Sequence, residues 1–241
     1  MPPAQVKAFV QSRGTRAKTD RIDAELIARF FAFRPDAGRS LPAEKLRFLR
    51  ALTSKRAQMV EMRKRLLAQI RAHHKLGTAE MFDGIDTELK VWLDSLIKEL
   101  EDRIVAAISS DDLLSETVSV VRSIPGIGPV ASTMLVAEMP ELGTITGEQA
   151  AALVGLAPVA HDSGTLRGKR SIAGGRRALR HVMFQAALVA AHHNPTMKAF
   201  ADRLRKAGKP HKVIITAVAR KLVNLANTLC KKRQKWVLPK V

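Results

Sequence analysis

Apolar positions recur at helical spacing along almost the whole chain. Residues 3–13 read as a short helix, with Pro2 and Pro3 tolerated in a first turn and Gly14 as a stop. A second helix starts near Thr19-Asp20, carries Ile22, Leu26, Ile27, Phe30 and Phe31, and ends at Pro35. Residues 34–43 concentrate helix breakers and read as a linker. From 44 to 76, Leu49, Leu52, Met59, Met62, Leu66, Ile70 and His73 recur at spacings of three, four and seven, with Lys and Arg between them. Gly77 and Gly84 interrupt the pattern over 77–85. It resumes over 86–108 with Leu89, Leu93, Leu96, Leu100, Ile104 and Ile108. Two long amphipathic helices joined by a short loop predict an antiparallel hairpin or part of a coiled coil. A stripe this narrow suits self-association as well as packing on the rest of the chain.

Beyond residue 120 the pattern predicts helices at 129–139, 147–156, 175–192, 195–207 and 211–232. Thr146 with Gln149 fits a capping box, Asn194-Pro195 an N-cap followed by proline, and Gly208 a C-terminal stop. No alternating strand pattern and no internal repeat stands out. The expectation is a predominantly α protein in three parts: residues 1–35, a linker and helical hairpin over 36–120, and a C-terminal helical unit over 121–241.

Composition narrows the function. The 241 residues include no Tyr, which excludes a tyrosine recombinase within this chain. The formal net charge is +19 and unevenly placed. Residues 1–120 hold 21 Lys+Arg against 17 Asp+Glu; residues 121–241 hold 20 against 5, a net +15. A long basic block inside a core-forming sequence points to nucleic acid. The single Cys, Cys230, leaves no disulfide framework and no cysteine metal site. No uninterrupted apolar run reaches the roughly 18 residues of a membrane span, and the N-terminus lacks a secretory pattern. The expectation is a cytoplasmic protein with no membrane partner.

Four motifs carry candidate chemistry. Ile124-Pro-Gly-Ile-Gly-Pro-Val130 resembles the turn of a helix-hairpin-helix module, in which Gly126 and Gly128 aim backbone N–H groups at a phosphate; an ordinary interhelical turn is the alternative. His161-Asp-Ser-Gly-Thr-Leu-Arg-Gly-Lys-Arg170 is a Gly-rich basic loop. Its Ser163 could attack a phosphodiester with Arg167, Lys169 and Arg170 stabilising charge. Spacing alone favours a turn that grips phosphate. Arg176, Arg177 and Arg180 open a predicted helix, where cations oppose the helix dipole and a bound phosphate would offset that cost. Asp20 and Asp23, three apart on a helix, could share a divalent metal, although acids in a first helical turn are also favoured by capping and dipole. Arg220 and Lys221 on the last helix, and Lys231-Lys232-Arg233 after them, suit backbone contact or a solvated face. The adjacent pairs His73-His74 and His192-His193 point apart on a helix and do not read as metal sites.

Lys18-Thr-Asp-Arg-Ile-Asp-Ala24, Ile124-Pro-Gly-Ile-Gly128, Gly155-Leu-Ala-Pro158, Asp162-Ser-Gly164, Gly168-Lys-Arg170, Gly174-Gly-Arg176 and Ala219-Arg-Lys-Leu222 occur in the order seen in one transposase family. The chain resembles the insertion-sequence 110/116/902 family throughout its length. The resemblance implies a RuvC-like domain with four metal-binding acids, a coiled coil, and a C-terminal domain with a nucleophilic serine. It implies Mg²⁺ as cofactor, duplex DNA as substrate, an element-encoded guide RNA, and a dimer or tetramer. By position, Asp20 and Asp23 match the last two acids and Ser163 the nucleophile. Only 19 residues precede Asp20, too few for the family's upstream strands, so a shortened copy carrying a remnant of the RuvC-like domain is expected. A non-catalytic helix-hairpin-helix protein of DNA binding or repair is the second reading, and an RNA-binding structural protein the third.

Overall fold

The computed structural model describes residues 3–14, 20–34, 43–160, 168 and 170–238. They fall into two compact units, Met1–Ala43 and Glu44–Val241.

In the first unit, α1 (Pro3–Ser12) packs on α2 (Asp20–Phe33) through phenylalanines. Phe9 meets Phe30 edge-on at 5.5 Å and stacks on Phe33 at 5.7 Å. Leu26 and Phe30 are buried. Both helices fall within a turn of their expected bounds.

In the second unit, α3 (Glu44–Leu76) and α4 (Asp83–Ser109) form the expected hairpin, turning through Gly77 in the left-handed region and a 3-10 turn at Ala79–Met81. Met59, Leu66 and Leu93 fill the seam. Arg56 pairs with Glu101 at 2.5 Å and Arg63 with Asp94 across it. The Arg63 and Lys90 hydrogen bonds hold the Asp94 carboxyl below its usual range. Pairs this exposed set register more than they add stability.

The base of the hairpin does not stand apart. Leu49, Leu52 and Ile104 share a cluster with Ala137 of α6 (Pro129–Glu138), and Arg50 reaches Glu138 at 3.1 Å. A helix absent from the sequence reading, α5 (Asp112–Arg122), links the two regions. It is capped by Asp111, which accepts from the Leu114 N–H at 3.0 Å. The division expected at 120/121 falls inside α5, whose Val120 and Val121 are both buried. The hairpin and the C-terminal helices belong to one compact unit, with the hairpin base packed on α6.

Those helices are α6, α7 (Gly147–Val154), α8 (Arg177–His193), α9 (Pro195–Lys206) and α10 (His211–Lys232). α10 is the core helix, burying Ile214, Ile215, Val218, Ala219, Leu222, Val223 and Ala226. By length and composition alone, α10 is long and apolar enough to cross a membrane. Here its apolar residues instead pack against α5, α7, α8 and α9. α8 packs on it and buries Ala186, Ala187, Ala190 and Ala191, small residues that permit close approach of neighbouring backbone. The Thr146–Gln149 capping box forms as expected, and Asn194 caps α9. Buried Asn227 accepts from Gly143 N–H and donates to Ile145 C=O, both at 2.8 Å, so its amide is satisfied.

Two strands appear where none was expected. β1 (Pro158–Val159) pairs antiparallel with β2 (Ser171–Ile172), in register Pro158↔Ile172 and Val159↔Ser171. Two residues are too few to show an alternation.

Gly126 is fixed by packing. Its φ is +101°, and a Cβ there would lie 2.5 Å from the Ala190 Cβ. Gly126→Ala is expected to destabilise the second unit by about 2 kcal/mol or more, from backbone strain and overpacking together. Gly128 has open space and an ordinary φ of −81°, so Gly128→Ala should stay within about 1 kcal/mol of wild type. Urea unfolding measures both; equal effects would show that the α8 contact yields.

Candidate nucleic-acid interface and catalytic loop

The expected helix start at 175 moves to Arg177, and this changes the role of the arginines around it. Arg176 is the N-cap, in extended conformation at φ −81° and ψ 91°. Its backbone N–H donates to Leu153 C=O at 2.9 Å. Its guanidinium, 19% exposed, pairs with Glu141 at 2.8 Å. Arg180, half-buried one turn further on, donates through Nη1 to Gly174 C=O at 2.7 Å and to Gly155 C=O at 3.3 Å. A carboxylate and two carbonyls of the protein thus offset part of the electrostatic cost that the sequence set against a phosphate, while Arg176 Nη1 is buried without a hydrogen-bond partner among the described residues. Arg177 is exposed and has no ion pair among the described residues.

The carbonyls that Arg180 bridges belong to the feet of the β1–β2 ribbon. Gly155 ends α7 in the left-handed region at φ +77°, and Gly174 and Gly175 lie at +66° and +68°. A Cβ on Gly155 would sit 2.3 Å from Gly174 C=O, and one on Gly175 2.3 Å from Gly155 N. The two feet therefore cross backbone against backbone, and only glycine fits. The segment joining β1 to β2 carries Ser163, Arg167 and Lys169, which lie outside the described residues; Arg170 is exposed beside β2.

The 123–128 turn is pinned on three sides. Gly126 lies against Ala190. Asn194 Nδ2 donates to Pro125 C=O at 3.2 Å. Ser123 Oγ accepts from the Trp236 backbone N–H at 2.7 Å, drawing the C-terminal segment over the turn. Gly128 is the N-cap of α6 and faces open space.

The sequence reading passed over most of the cations that lie open on this unit. Lys198, Arg203, Lys206, Lys209 and Lys212 are exposed, or nearly so, on α9, α10 and the turn between them, with Arg220 half-buried and Lys221 exposed further along. Asp202 is the only acid after residue 162, and Arg205 takes it. Arg203 and Lys221 both lie over the Phe200 ring, at 5.3 and 4.6 Å from its centroid. Two cations on one ring repel each other, and a nearby polyanion would relieve that repulsion. The signal was legible as a basic last turn of α9 followed by a stretch without acids.

In the first unit, Asp20 opens α2 and Asp23 follows on the same face, half-buried. Two carboxylates are hard oxygen donors and suit a hard divalent cation; no group of three or more such ligands assembles among the described residues. His73 hydrogen-bonds Thr78 at 3.1 Å and packs on Phe82. Burial pushes the Cys230 thiol up to about 11, so it stays protonated and unreactive near neutral pH.

A family model described as Transposase IS116/IS110/IS902 family matches residues 118–202, from α5 into α9 and across the whole ribbon. A DEDD transposase model matches residues 1–76. The pilin gene-inverting protein of Moraxella bovis is 29% identical over 234 residues, 93% of this chain and 69% of its own length. Its counterpart in Moraxella lacunata matches to the same extent. An uncharacterised 42 kDa protein of insertion element IS900 from Mycobacterium paratuberculosis is 33% identical over 110 residues, 44% of this chain and 27% of its own. Models that match residues 1–76 and 118–202, and relatives aligned over 234 residues, place this protein in the IS116/IS110/IS902 family of transposases, enzymes whose substrate is DNA.

Proposed function

We propose that the protein transfers DNA strands through Ser163 while the α9–α10 surface holds the duplex by its phosphates. The observation that carries this reading is the built foot of the β1–β2 ribbon: three glycines and two arginines bonded within the protein lie at the base of the two strands that the sequence joins through an Asp-Ser-Gly and three cations. In the step, Ser163 Oγ bonds to phosphorus and a P–O bond to deoxyribose breaks. The serine proton leaves to solvent and the departing sugar oxygen takes one up. One phosphoester replaces another, so no energy-rich cofactor is consumed. Arg167, Lys169 and Arg170 would stabilise the charge gathering on the phosphoryl oxygens.

Asp20 and Asp23 would hold Mg²⁺, which when bound supplies charge stabilisation at phosphoryl oxygens. An element-encoded RNA would choose the target, and the protein would act in the cytoplasm as a dimer or tetramer. The exposed Ile85, Leu89 and Trp92 along one face of α4 support a second copy seated on the hairpin. The α5–α6 turn, open at Gly128, would add a backbone contact of helix-hairpin-helix type. The relatives named for inverting a pilin gene support strand exchange over a purely accessory role.

The reading is tested with purified protein, duplex DNA spanning the element's ends, RNA transcribed from the flanking DNA, and Mg²⁺. A protein–DNA adduct resistant to denaturant should form and should be missing in Ser163→Ala. An adduct of normal yield in that variant would refute the assignment.

A further inference from the structure

We infer that Arg180, braced by Arg176, is a positioning residue for the β1–β2 ribbon and not a contact to DNA phosphate; this rests on the reading of Ser163 as nucleophile. The geometry assigns the role. A single nitrogen, Nη1, donates to one carbonyl on each foot: Gly155, which leads into β1, and Gly174, which follows β2. Gly155 C=O lies just past the end of α7, where helix carbonyls lack internal partners and the dipole favours a cation. The backbones touch so closely that no side chain separates them. Arg176 fixes the same crossing from below, tying Leu153 through its backbone and Glu141 through its side chain. Both Nη1 hydrogens go to carbonyls, which ties the guanidinium to the crossing, while Nε and Nη2 keep three further donors.

The paired strands contribute only two residues each, so the ribbon has little hold of its own. Its direction depends on the clamp. A displacement of about 1 Å at a reacting group can cost on the order of 100-fold in rate. Gly174 is exposed, so water can replace its lost bond, and Gly155, though buried, lies outside the apolar core cluster; removal of the clamp should misdirect the ribbon more than it unfolds the core.

The test compares Arg180→Ala, Arg180→Lys and Arg177→Ala. Duplex affinity, its salt dependence, the adduct rate at saturating DNA, and amide exchange at residues 159–160 and 170–173 are measured on each. In Arg180→Ala the affinity and salt slope should stay within about twofold of wild type, the saturating rate should fall by about 100-fold, and the ribbon amides should exchange faster. Arg180→Lys keeps the charge and reach but not the guanidinium, and should recover only part of the rate. Should Arg180→Ala fail to fold, Arg180→Lys decides: a phosphate contact predicts near-normal behaviour, a clamp a slow rate at normal affinity. Arg177→Ala should leave exchange unchanged. Weaker binding to all duplexes with an unchanged saturating rate and unchanged exchange would overturn the inference. The two readings fail separately. An adduct that persists in Ser163→Ala sinks the nucleophile and leaves the exchange result to judge the clamp. Loss of the adduct in Ser163→Ala, with full rate and slow exchange in Arg180→Ala, sinks the clamp alone.

Discussion

Reversing the charge at Lys206, Lys209 and Lys212 together should weaken binding to every duplex, whatever its sequence, by about 100-fold or more at 100 mM salt. The three lysines lie at the end of α9 and the start of α10, with no acid partner among the described residues. Phosphate contacts release counterions, and the slope of log affinity against log salt is about −0.9 per phosphate on duplex DNA. Six contacts would cost about three orders of magnitude between 50 and 200 mM salt. Loss of three should flatten the slope by nearly 3. The same reversal at Lys64 and Arg65, which share Glu61 on the hairpin, is the control and should change the slope little. Wild-type affinity indifferent to salt would remove the phosphate surface from the account; a slope unchanged in the triple variant would move it elsewhere on the molecule.

Ser163→Ala should abolish adduct formation while leaving duplex affinity intact. The hydroxyl is neutral, so its loss leaves the counterion balance unchanged. It is also the atom that would bond to phosphorus, and a missing nucleophile typically costs on the order of 1,000-fold or more. Chelation of Mg²⁺ should act on the same step, because a bound metal is worth several kcal/mol of charge stabilisation. Asp23→Asn should mimic chelation and leave salt-dependent binding as it was. If Asp23→Asn instead releases DNA and leaves the adduct rate untouched, the acids serve binding and not chemistry.

Most of the helical scaffold was legible because burial repeats every three or four residues over long stretches. α3 and α4 fill their seam with Met59, Leu66 and Leu93, all on the predicted stripe. α5 escaped notice because eleven residues with adjacent Leu113-Leu114 and Val120-Val121 show too little period to separate a helix from a connecting segment. β1 and β2 escaped because their pairing is set by the glycine crossing beneath them, which no local pattern encodes. The arginines show the limit most clearly. Arg176, Arg177 and Arg180 look alike in sequence, yet Glu141, thirty-five residues upstream, and the carbonyls of Gly155 and Gly174 engage two of them and leave the third exposed. Gly126 and Gly128 look equivalent too, and only the approach of Ala190 tells them apart. Charge asymmetry pointed to the C-terminal helices, but which of their cations lie open together became visible only when α9 and α10 were folded side by side.

Digestion of the denatured adduct with nuclease and protease, followed by tandem mass spectrometry of the nucleotide-bearing peptide, tests the central claim most directly. The account predicts a nucleotide phosphate on Ser163 within the 161–170 segment, and no labelled peptide from Ser163→Ala. A nucleotide on any other residue, or strand transfer that proceeds with no protein-linked nucleotide at all, would contradict it.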